Sequence, residues 1–575
     1  MFVIGYIGTA GSPEAASFQP IVQQAYLKPS NTDTNYRFGS SVAVSGRTVV
    51  IGAWGESSGA RGVNGDQNDR SATNSGAAYV FVRQGMNWMQ EAYLKASNTD
   101  AEDVFGQTVA IDGDTIVVGA PREASSATSV NGDQNDNGRT ESGAAYVFVR
   151  DGSNWIQQAY LKPSFNQVFP GSPPGASFGW SVAISGDTIL VGARHDGSSA
   201  TGVNGDPTIG ITPSAGAAYL FVREGTNWTR QAYLKPFLLG GSMLFGGSVA
   251  ISSNTAVIGA ASESSGATRV NGSGTDFSAP RSGAAYIFGR NGTNWSPQAY
   301  LKASNTGAGD EFGNSVAIDA DTVAIGAHQE DSNAVGVGGL QSDNTAFNSG
   351  AAYVFAREDT NWSQQAYLKS SNSEGATSEQ RLGDLFGHSV SVFRDRIIVG
   401  APREDSGASG INGNQSDNSA PDSGAAYLFV RKGANWTQRA YIKPSNTAGG
   451  SAGQLGDLFG TAVALSESFV VVGAILEGSA ATGVNGNESD NSGGWIGASY
   501  VFNFPVQMSI TPHAVRGPSI RFNIATGESY QLQRAPMLNG PWETLTIGTG
   551  SSLALVEYDD LLPLAGQAFY RVVQP

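Results

Sequence analysis

The stretch Phe105-Gly-Gln-Thr-Val-Ala-Ile111 opens a unit that the chain repeats seven times. The Phe-Gly pair begins at Phe38, Phe105, Phe178, Phe245, Phe312, Phe386 and Phe459. Successive copies lie 67, 73, 67, 67, 74 and 73 residues apart, so each unit tolerates small insertions without losing its phase. This period is too long for a helical hairpin and is typical of a four-stranded β-propeller blade.

The second unit predicts four antiparallel strands, which we name A to D. Strand A is 105–111, and a tight turn at 112–114 leads into the apolar strand B at 115–120. A polar loop then leads to strand C at 143–150, in which aromatic and small residues alternate. An Asp-Gly hairpin turn follows, and strand D is 154–162. Apolar residues on both faces of strand B indicate a sheet that is covered on both sides, as in a blade between two neighbours.

Strand counting predicts that the ring is closed by the N-terminus. Strands A, B and C occur seven times, but strand D follows only the first six units. The missing copy is Gln23-Gln-Ala-Tyr-Leu-Lys28, ahead of the first unit. We therefore predict an all-β fold in which residues 22–504 form a seven-bladed β-propeller of 28 strands, closed by this N-terminal strand.

The two ends of the chain depart from the repeat. Residues 1–21 are predicted to be a partly disordered leader, whose apolar start lacks the preceding basic residues of a clear signal peptide. Residues 507–575 are predicted to be a small β-sandwich, because they contain five short strand-like runs. These runs are Ser519–Ile524, Ser529–Gln533, Trp542–Ile547, Leu553–Tyr558 and Phe569–Val573. The segment resembles the immunoglobulin- or fibronectin-like modules of exported proteins.

Composition excludes several kinds of function. A net charge of −16 and a pI of about 4.7 disfavour nucleic acid and anionic lipid as partners. The chain has no cysteine, only four histidines and no apolar run long enough for a membrane helix. No known catalytic motif is present, so we do not expect an enzyme. A glycosidase or lyase that uses paired carboxylates is the open alternative.

Acidic residues recur at three positions in the loops. The third residue after the Gly-Ala of strand B is acidic in every unit: Glu56, Glu123, Asp196, Glu263, Glu330, Glu404 and Glu477. Asp stands five residues after an Asn-Gly (Gly338 in the fifth unit) in the B–C loop at Asp69, Asp136, Asp276, Asp343, Asp417 and Asp490. Asp also precedes Phe-Gly by two positions at Asp103, Asp310, Asp384 and Asp457.

These oxygens, with Asp133 and Asn135 of an EF-hand-like half loop, predict calcium binding. The alternative is that they accept hydrogen bonds within turns and from a neighbouring blade. Chain parity places the B–C and D–A connections on one face, which is therefore where we expect function.

The recurring Phe-Gly, the Gly-Ala-Pro at Gly119–Pro121 and Gly400–Pro402, and the Ser-Gly-Ala-Ala-Tyr-Val-Phe run resemble the FG-GAP repeat of integrin α-chain propellers. The resemblance covers about residues 22–504 and implies a non-catalytic, extracellular or cell-surface adhesion module, often carrying calcium. Integrin-type calcium loops lie between strands A and B, where this chain has only short turns such as Asp112–Asp114. The family's calcium ligands are therefore not transferred.

We thus expect a secreted, monomeric scaffold that binds a protein, matrix or glycan partner through its long loops. A lectin-like propeller is the alternative within the binding class.

Overall fold

The structure is a computed structural model that describes residues 2–7, 21–165, 175–238, 240–375, 383–450, 455–504, 508–511, 519–523, 529–536, 541–549, 555–559 and 567–573. Over these ranges the regular structure is all β. Seven four-stranded antiparallel sheets lie between residues 22 and 503, and two further sheets come from the ends of the chain. Among the described residues no helix could cross a membrane.

The blades have their strands in the order A-B-C-D. Strand A spans Phe38–Ser45, Thr108–Asp112, Phe178–Ser185, Ser248–Ser252, Ser315–Asp319, Ser389–Phe393 and Phe459–Leu465. Strand B spans Thr48–Ala53, Thr115–Ala120, Thr188–Ala193, Thr255–Ala260, Thr322–Ala327, Arg396–Ala401 and Phe469–Ala474. Strand C spans Ala77–Gln84, Ala144–Asp151, Ala217–Glu224, Ala284–Asn291, Ala351–Glu358, Ala425–Lys432 and Ala498–Asn503. Strand D spans Asn87–Leu94, Asn154–Leu161, Asn227–Leu234, Asn294–Leu301, Asn361–Leu368 and Asn435–Ile442, with Val22–Leu27 in blade seven.

The N-terminal strand closes the ring as predicted. Val22–Leu27 pairs antiparallel with Ala498–Asn503, and Tyr26 lies opposite Tyr500. Strand A of each blade contacts strand A of the next, and the contact between Phe459–Leu465 and Phe38–Ser45 completes the circle. Strand A is therefore the innermost strand of each blade. These contacts confirm the closed seven-bladed propeller.

The core lies between blades. One hydrophobic cluster joins Val50 and Leu94 of blade one to Phe105, Val118 and Phe148 of blade two. Strand B of blade two is buried at all six of its positions. Its near-continuous apolar sequence follows from this, because both of its faces lie against a neighbouring sheet.

The glycines of Phe-Gly and Gly-Ala contact each other across blades. Gly106 has φ +86°, and a Cβ atom there would lie 2.2 Å from the carbonyl oxygen of Ala77 in the preceding blade. A Cβ on Gly52 would in turn lie 2.0 Å from the carbonyl oxygen of Gly106. The same approach recurs around the ring and ends with Gly473 against Gly39. Phe-Gly and Gly-Ala therefore each contain a glycine, because the backbones of adjacent blades touch at these positions.

The repeated tryptophan at the start of strand D has a packing role. Trp155 is 3% exposed, and the guanidinium of Arg150 lies 4.5 Å from its ring centroid. Its Nε1 donates a hydrogen bond of 2.8 Å to Glu91 in the preceding blade. The equivalent Trp228, Trp295, Trp362 and Trp436 also stack with an arginine of strand C.

The ends of the chain form two small sheets. The three-stranded sheet contains Met508–Thr511, Ser519–Asn523 and Leu555–Asp559. The four-stranded sheet contains Phe2–Ile7, Gln567–Val573, Ser529–Ala535 and Glu543–Thr549. The rings of Phe522 and Tyr530 join the two sheets at a centroid distance of 5.1 Å. The five predicted strands are present, with Met508–Thr511 and Phe2–Ile7 in addition.

The N-terminal leader differs from the expectation over its first residues. Phe2–Ile7 pairs antiparallel with Gln567–Val573, so both ends of the chain contribute to this sheet. The physical reason is an open edge: Gln567–Val573 has Ser529–Ala535 on one side and would otherwise leave its other side unpaired. The rest of the predicted leader, residues 1 and 8–20, lies outside the described residues.

Candidate functional site on the long-loop face

The B–C loops and the D–A connections lie together, as chain parity predicted. Val63 in the B–C loop of blade one forms a bridge with Leu94 at the end of strand D, and Val203, Val270, Val337 and Ile411 do the same in other blades. Asn64 anchors this arrangement because its Oδ1 accepts the backbone N–H of Tyr93 at 2.9 Å. The Asn of the repeated Asn-Gly is therefore a structural residue of the loop.

The seven in-phase acids after strand B are buried and paired with lysine. The pairs, with N–O distances, are Glu56–Lys95 2.8 Å, Glu123–Lys162 2.7 Å, Asp196–Lys235 3.0 Å, Glu263–Lys302 2.8 Å, Glu330–Lys369 3.0 Å, Glu404–Lys443 2.9 Å and Glu477–Lys28 2.7 Å. We call these seven pairs the ring pairs. All seven lysine side chains are 0% exposed.

Blade two shows the full hydrogen-bond network of a ring pair. Oε1 of Glu123 accepts hydrogen bonds from the hydroxyl of Tyr160 at 2.8 Å and from Nδ2 of Asn98 at 3.0 Å. The Lys162 ammonium also donates to the carbonyl of Gly143 at 2.8 Å. Burial lowers the pKa of Lys162, and the charge of Glu123 opposes that shift. Asn98 belongs to the connection from blade one, so the pair also ties adjacent blades together.

Blades three and four depart from this network. The position of Asn98 is occupied by Phe165 ahead of blade three and by Leu238 ahead of blade four. In blade three the hydroxyl of Tyr219 donates directly to Asp196 at 3.1 Å, and in blade four the hydroxyl of Tyr286 donates to the Leu238 carbonyl at 3.3 Å. The lysine pair is retained in both, so the asparagine is the replaceable part of the network.

The lysines are the functional residues that the acid pattern alone missed. In the first six blades the lysine follows its acid by 39 residues and ends the Ala-Tyr-Leu-Lys or Ala-Tyr-Ile-Lys run of strand D. The chain contains eight lysines, and seven of them are in the ring pairs. An in-phase base at the end of an apolar strand, matched to an in-phase acid, is the signal that could have identified them.

The partly exposed aspartates of the B–C loops cap their own turns. Oδ1 of Asp69 accepts the backbone N–H of Ser71 at 3.0 Å, and Asp417, Asp490 and Asp343 bond the residue two positions on in the same way. Asp136 and Asp276 each accept backbone N–H groups from two loop positions. Hydrogen bonds from the side chains of Ser126, Ser278 and Ser492, followed by these backbone bonds, lower the pKa of Asp136, Asp276 and Asp490. In the EF-hand-like half loop, Asp133 caps Asn135 at 2.9 Å.

The aspartates before Phe-Gly are buried. Asp103 accepts the backbone N–H of Asp100 at 2.9 Å, and burial raises its pKa to about 7. Burial likewise raises the pKa of Asp310 and Asp457 to about 7, and that of Asp384 well above its usual value. The carboxyl groups of Asp103, Asp310 and Asp457 therefore carry a proton for much of the time near neutral pH.

The predicted metal ligands do not converge. Among the residues that the structure describes, no group of three His, Asp or Glu side chains is arranged to hold an ion. The ring acids fit calcium poorly, because each already has an ammonium within 3.0 Å that a cation would have to displace. Calcium binding by the partly exposed aspartates stays a prediction.

One set of positions that differ from blade to blade lies at the inner edge of this face. We call this edge the inner rim. It contains the residues flanking Phe-Gly, which are Arg37, Ser40, Val104, Gln107, Ser177, Trp180, Leu244, Gly247, Glu311, Asn314, Leu385, His388, Leu458 and Thr461. It also contains the residue after each Gly-Ala of strand B, which is Trp54, Pro121, Arg194, Ala261, His328, Pro402 or Ile475. Its last position, two before the Gly of strand C, holds Asn74, Glu141, Ser214, Arg281, Asn348, Asp422 or Trp495.

The rim backbone is uniform although its side chains are not. The residue before Phe-Gly has φ between +51° and +60° in all seven blades, and the residue before Ser/Ala/Ile-Gly of strand C has φ between +51° and +57°. Glycine adopts this conformation without steric cost, whereas other residues lose about 1–2 kcal/mol each. All fourteen positions nevertheless hold a side chain, and three of them are Asn or Asp, which adopt this conformation more readily than other residues.

Tryptophan and arginine stack on each other in two parts of the rim. Where blades seven and one meet, the guanidinium of Arg37 lies 4.7 Å from the ring centroid of Trp495 and 5.8 Å from that of Trp54. In blade three, the guanidinium of Arg194 lies 3.1 Å from the ring centroid of Trp180. Within the propeller, Trp54, Trp180 and Trp495 are the tryptophans that do not follow the repeat.

A third part of the rim holds two histidines. The rings of His328 and His388, from blades five and six, lie 5.5 Å apart. Burial lowers the pKa of His328 to about 3 and that of His388 to about 4, so both are neutral at physiological pH. Nε2 of His328 lies 3.5 Å from Glu311.

Comparison with known proteins identifies the repeat. Six segments of the chain match the FG-GAP repeat, at residues 21–81, 88–148, 172–221, 228–288, 295–355 and 362–429. Together they make up more than half of the chain. The chain belongs to the FG-GAP repeat family. The matched segments 88–148, 228–288 and 295–355 each begin in strand D and end in strand C of the following blade, so the family unit is offset from the blade.

Other comparisons add little to this FG-GAP assignment. No curated protein matches the chain. A solved structure titled "Glycoside hydrolase" aligns with 81% of this chain and 94% of its own length, at 8% sequence identity and a TM-score of 0.24. A likeness this weak carries no argument about activity.

The FG-GAP propeller keeps its A–B connections short. Asp112 pairs with Thr115 across a turn of two residues, and Ser45 pairs with Thr48 in the same way. Such a turn is too short to surround an ion, as the sequence predicted.

Proposed function

We propose that this FG-GAP propeller is a non-catalytic recognition scaffold at the cell surface or outside the cell, and that its inner rim and long loops bind a protein, matrix or glycan partner. One observation carries the proposal. The ring pairs, the touching glycines and the tryptophan–arginine stacks of strands C and D repeat around the ring, whereas the non-repeating Trp54, Trp180 and Trp495 all lie at the inner edge of one face. A rigid repeated frame with a variable rim is suited to binding.

The same geometry favours binding over catalysis. Glycoside hydrolysis with two carboxylates needs one group that donates a proton and one that stays ionised. Each of the seven ring acids instead has an equivalent ammonium partner and is buried. This equivalence leaves none of them singled out for such a role.

A lectin-like function is the second candidate, and Trp495 favours it. Its side chain is 41% exposed at the rim, beside a guanidinium. An exposed aromatic face is the feature that sugar-binding sites need and that the B–C loops mostly lack. Monomeric state and stabilisation by calcium stay part of the proposal.

The test uses the full chain on a panel of purified matrix proteins and glycans, with and without calcium. The rim variant W54A/W180A/W495A is compared with M86A/E224Q/D359N, which changes exposed residues near the C–D turns of the opposite face. We expect binding to at least one component, a loss of roughly tenfold or more in the rim variant, and no loss in the control. Glycan incubation should release no new reducing ends. Absence of all binding, binding that is indifferent to the rim variant, or product release would overturn the proposal.

A further inference from the structure

We infer that the inner rim binds the carboxylate groups of an acidic polysaccharide, with Arg37 and Arg194 as the anion contacts and Trp495 and Trp180 as surfaces for the sugar rings. This inference rests on the proposed binding function and names the chemistry of its ligand. The observation behind it is that Arg37 and Arg194 stack on tryptophan and do not form the ion pairs that the other arginines of the rim form with described residues.

Arg37 is a half-buried cation that lies between two tryptophans. Its guanidinium lies against the faces of Trp54 and Trp495, and its burial lowers its pKa with no acidic neighbour to oppose the shift. No carboxylate forms an ion pair with it among the residues that the structure describes. In a chain of net charge −16, an unpaired guanidinium on the binding face is unexpected unless an anionic ligand forms an ion pair with it.

Arg194 repeats the arrangement in blade three. It stacks on Trp180, and its Nε is buried without a hydrogen-bond acceptor in the described part of the chain. The acid whose charge acts on it is Glu141, which also lies 3.8 Å from Arg122. The neighbouring His195 is hydrogen-bonded to Ser177 at 3.0 Å, and burial lowers its pKa to about 4, so it adds no charge at neutral pH.

The remaining rim and near-rim arginines have partners. Arg403 contacts Asp422 at 3.2 Å, Arg281 contacts Glu311, and Arg122 lies 3.7 Å from Glu102. Among the rim arginines, the two without an ion pair to a described residue are Arg37 and Arg194, which stack on the non-repeating tryptophans of the propeller. Stacking on tryptophan and the lack of an acidic partner thus distinguish Arg37 and Arg194 from the structural arginines.

An acidic glycan suits these sites better than an acidic peptide. The face of a sugar ring presents C–H groups, which are attracted to the electron-rich face of an indole, while a carboxylate on the same ring can reach the adjacent guanidinium in a bidentate pair. An acidic peptide would use the arginines but would not need an exposed indole face. Because the rest of the surface is acidic, binding should also weaken as salt screens the two guanidinium groups.

The experiment is isothermal titration of the full chain with a tetramer of galacturonic acid, its methyl-esterified form and a glutamate peptide of equal charge. We expect the tetramer to bind and the uncharged ester and the peptide to bind at least roughly tenfold more weakly. R37Q and R194Q should each weaken binding of the tetramer by roughly 10- to 100-fold. W495A should weaken it as well, and R403Q, which changes a paired arginine, should leave it unaltered.

Each contrary result has a clear meaning. Equal binding of the ester, or full binding by R37Q and R194Q, would overturn the assignment of the arginines. Equal binding of the glutamate peptide together with an unaffected W495A would show an acidic peptide site and overturn the glycan assignment. If the tetramer fails to bind while the tryptophan-dependent binding of other panel components persists, this inference fails and the proposed function stands. Melting temperatures within a few degrees of the parent protein show that the variants are folded.

Discussion

Lys95→Met is expected to lower the free energy of unfolding by about 3–5 kcal/mol, because it leaves the carboxylate of Glu56 buried without its counterion. Both side chains of this ring pair are 0% exposed, and the ammonium also donates to the carbonyl of Gly76 at 2.7 Å. Methionine has a similar length, so the loss of charge dominates over the loss of volume. Urea denaturation followed by tryptophan fluorescence measures the change.

Two variants separate the buried charge from other effects. The double variant K95M/E56Q should recover much of the loss, because it removes the unpaired charge while the amide still accepts hydrogen bonds. Arg394→Ala breaks the partly exposed pair with Glu467, which has an N–O distance of 3.1 Å, and should cost less than about 1 kcal/mol. A cost for K95M as small as that of R394A, or a double variant no more stable than the single one, would contradict the role assigned to the ring pairs.

Gly106→Ala is expected to cost about 2–5 kcal/mol, the second large effect. The residue has φ +86°, which strains any residue with a side chain by about 1–2 kcal/mol. Its Cβ would also lie 2.2 Å from a backbone carbonyl of the neighbouring blade, and forced overpacking typically adds about 1–3 kcal/mol. The shift in urea midpoint relative to the parent protein gives the effect.

Gly113→Ala is the matched control for this substitution. Gly113 lies in the A–B turn of the same blade with φ +54°, and a Cβ there would meet no atom within 4 Å. It should therefore lose only the conformational part, about 1–2 kcal/mol. Equal losses for the two glycines would show that the contact between blades contributes nothing to stability.

The fold could be predicted from the sequence because every unit repeats the same motifs in the same order. Seven in-phase copies of Phe-Gly and Gly-Ala gave the blade number, and the displaced strand at Gln23–Lys28 gave the closure. The pairing of Phe2–Ile7 with the C-terminal strand Gln567–Val573 could not be predicted from the sequence. A strand that occurs only once has no repeat to identify it, and its apolar sequence does not indicate which strand, more than 500 residues away, it pairs with.

The candidate site was less predictable. The in-phase acids were found, but oxygen-rich patterns look the same whether a cation or an ammonium neutralises them. The matching lysine lies 39 residues from Glu123 and meets it only after strands C and D have folded back. The contacts of the rim were missed for the opposite reason: Arg37, Trp495 and Arg194 break the repeat, and the contact between Arg37 and Trp495 forms only where the ring closes.

Lysine accessibility tests the central claim, that the repeated acids hold the ring through buried ammonium groups. The native protein is treated with an amine-reactive acetylating reagent, and the modified peptides are identified by mass spectrometry. Of the eight lysines, Lys432 in its exposed C–D hairpin should react rapidly in the folded protein, and all eight should react in denaturant. Rapid labelling of Lys95, Lys302 or any other ring lysine in the folded protein would contradict the account.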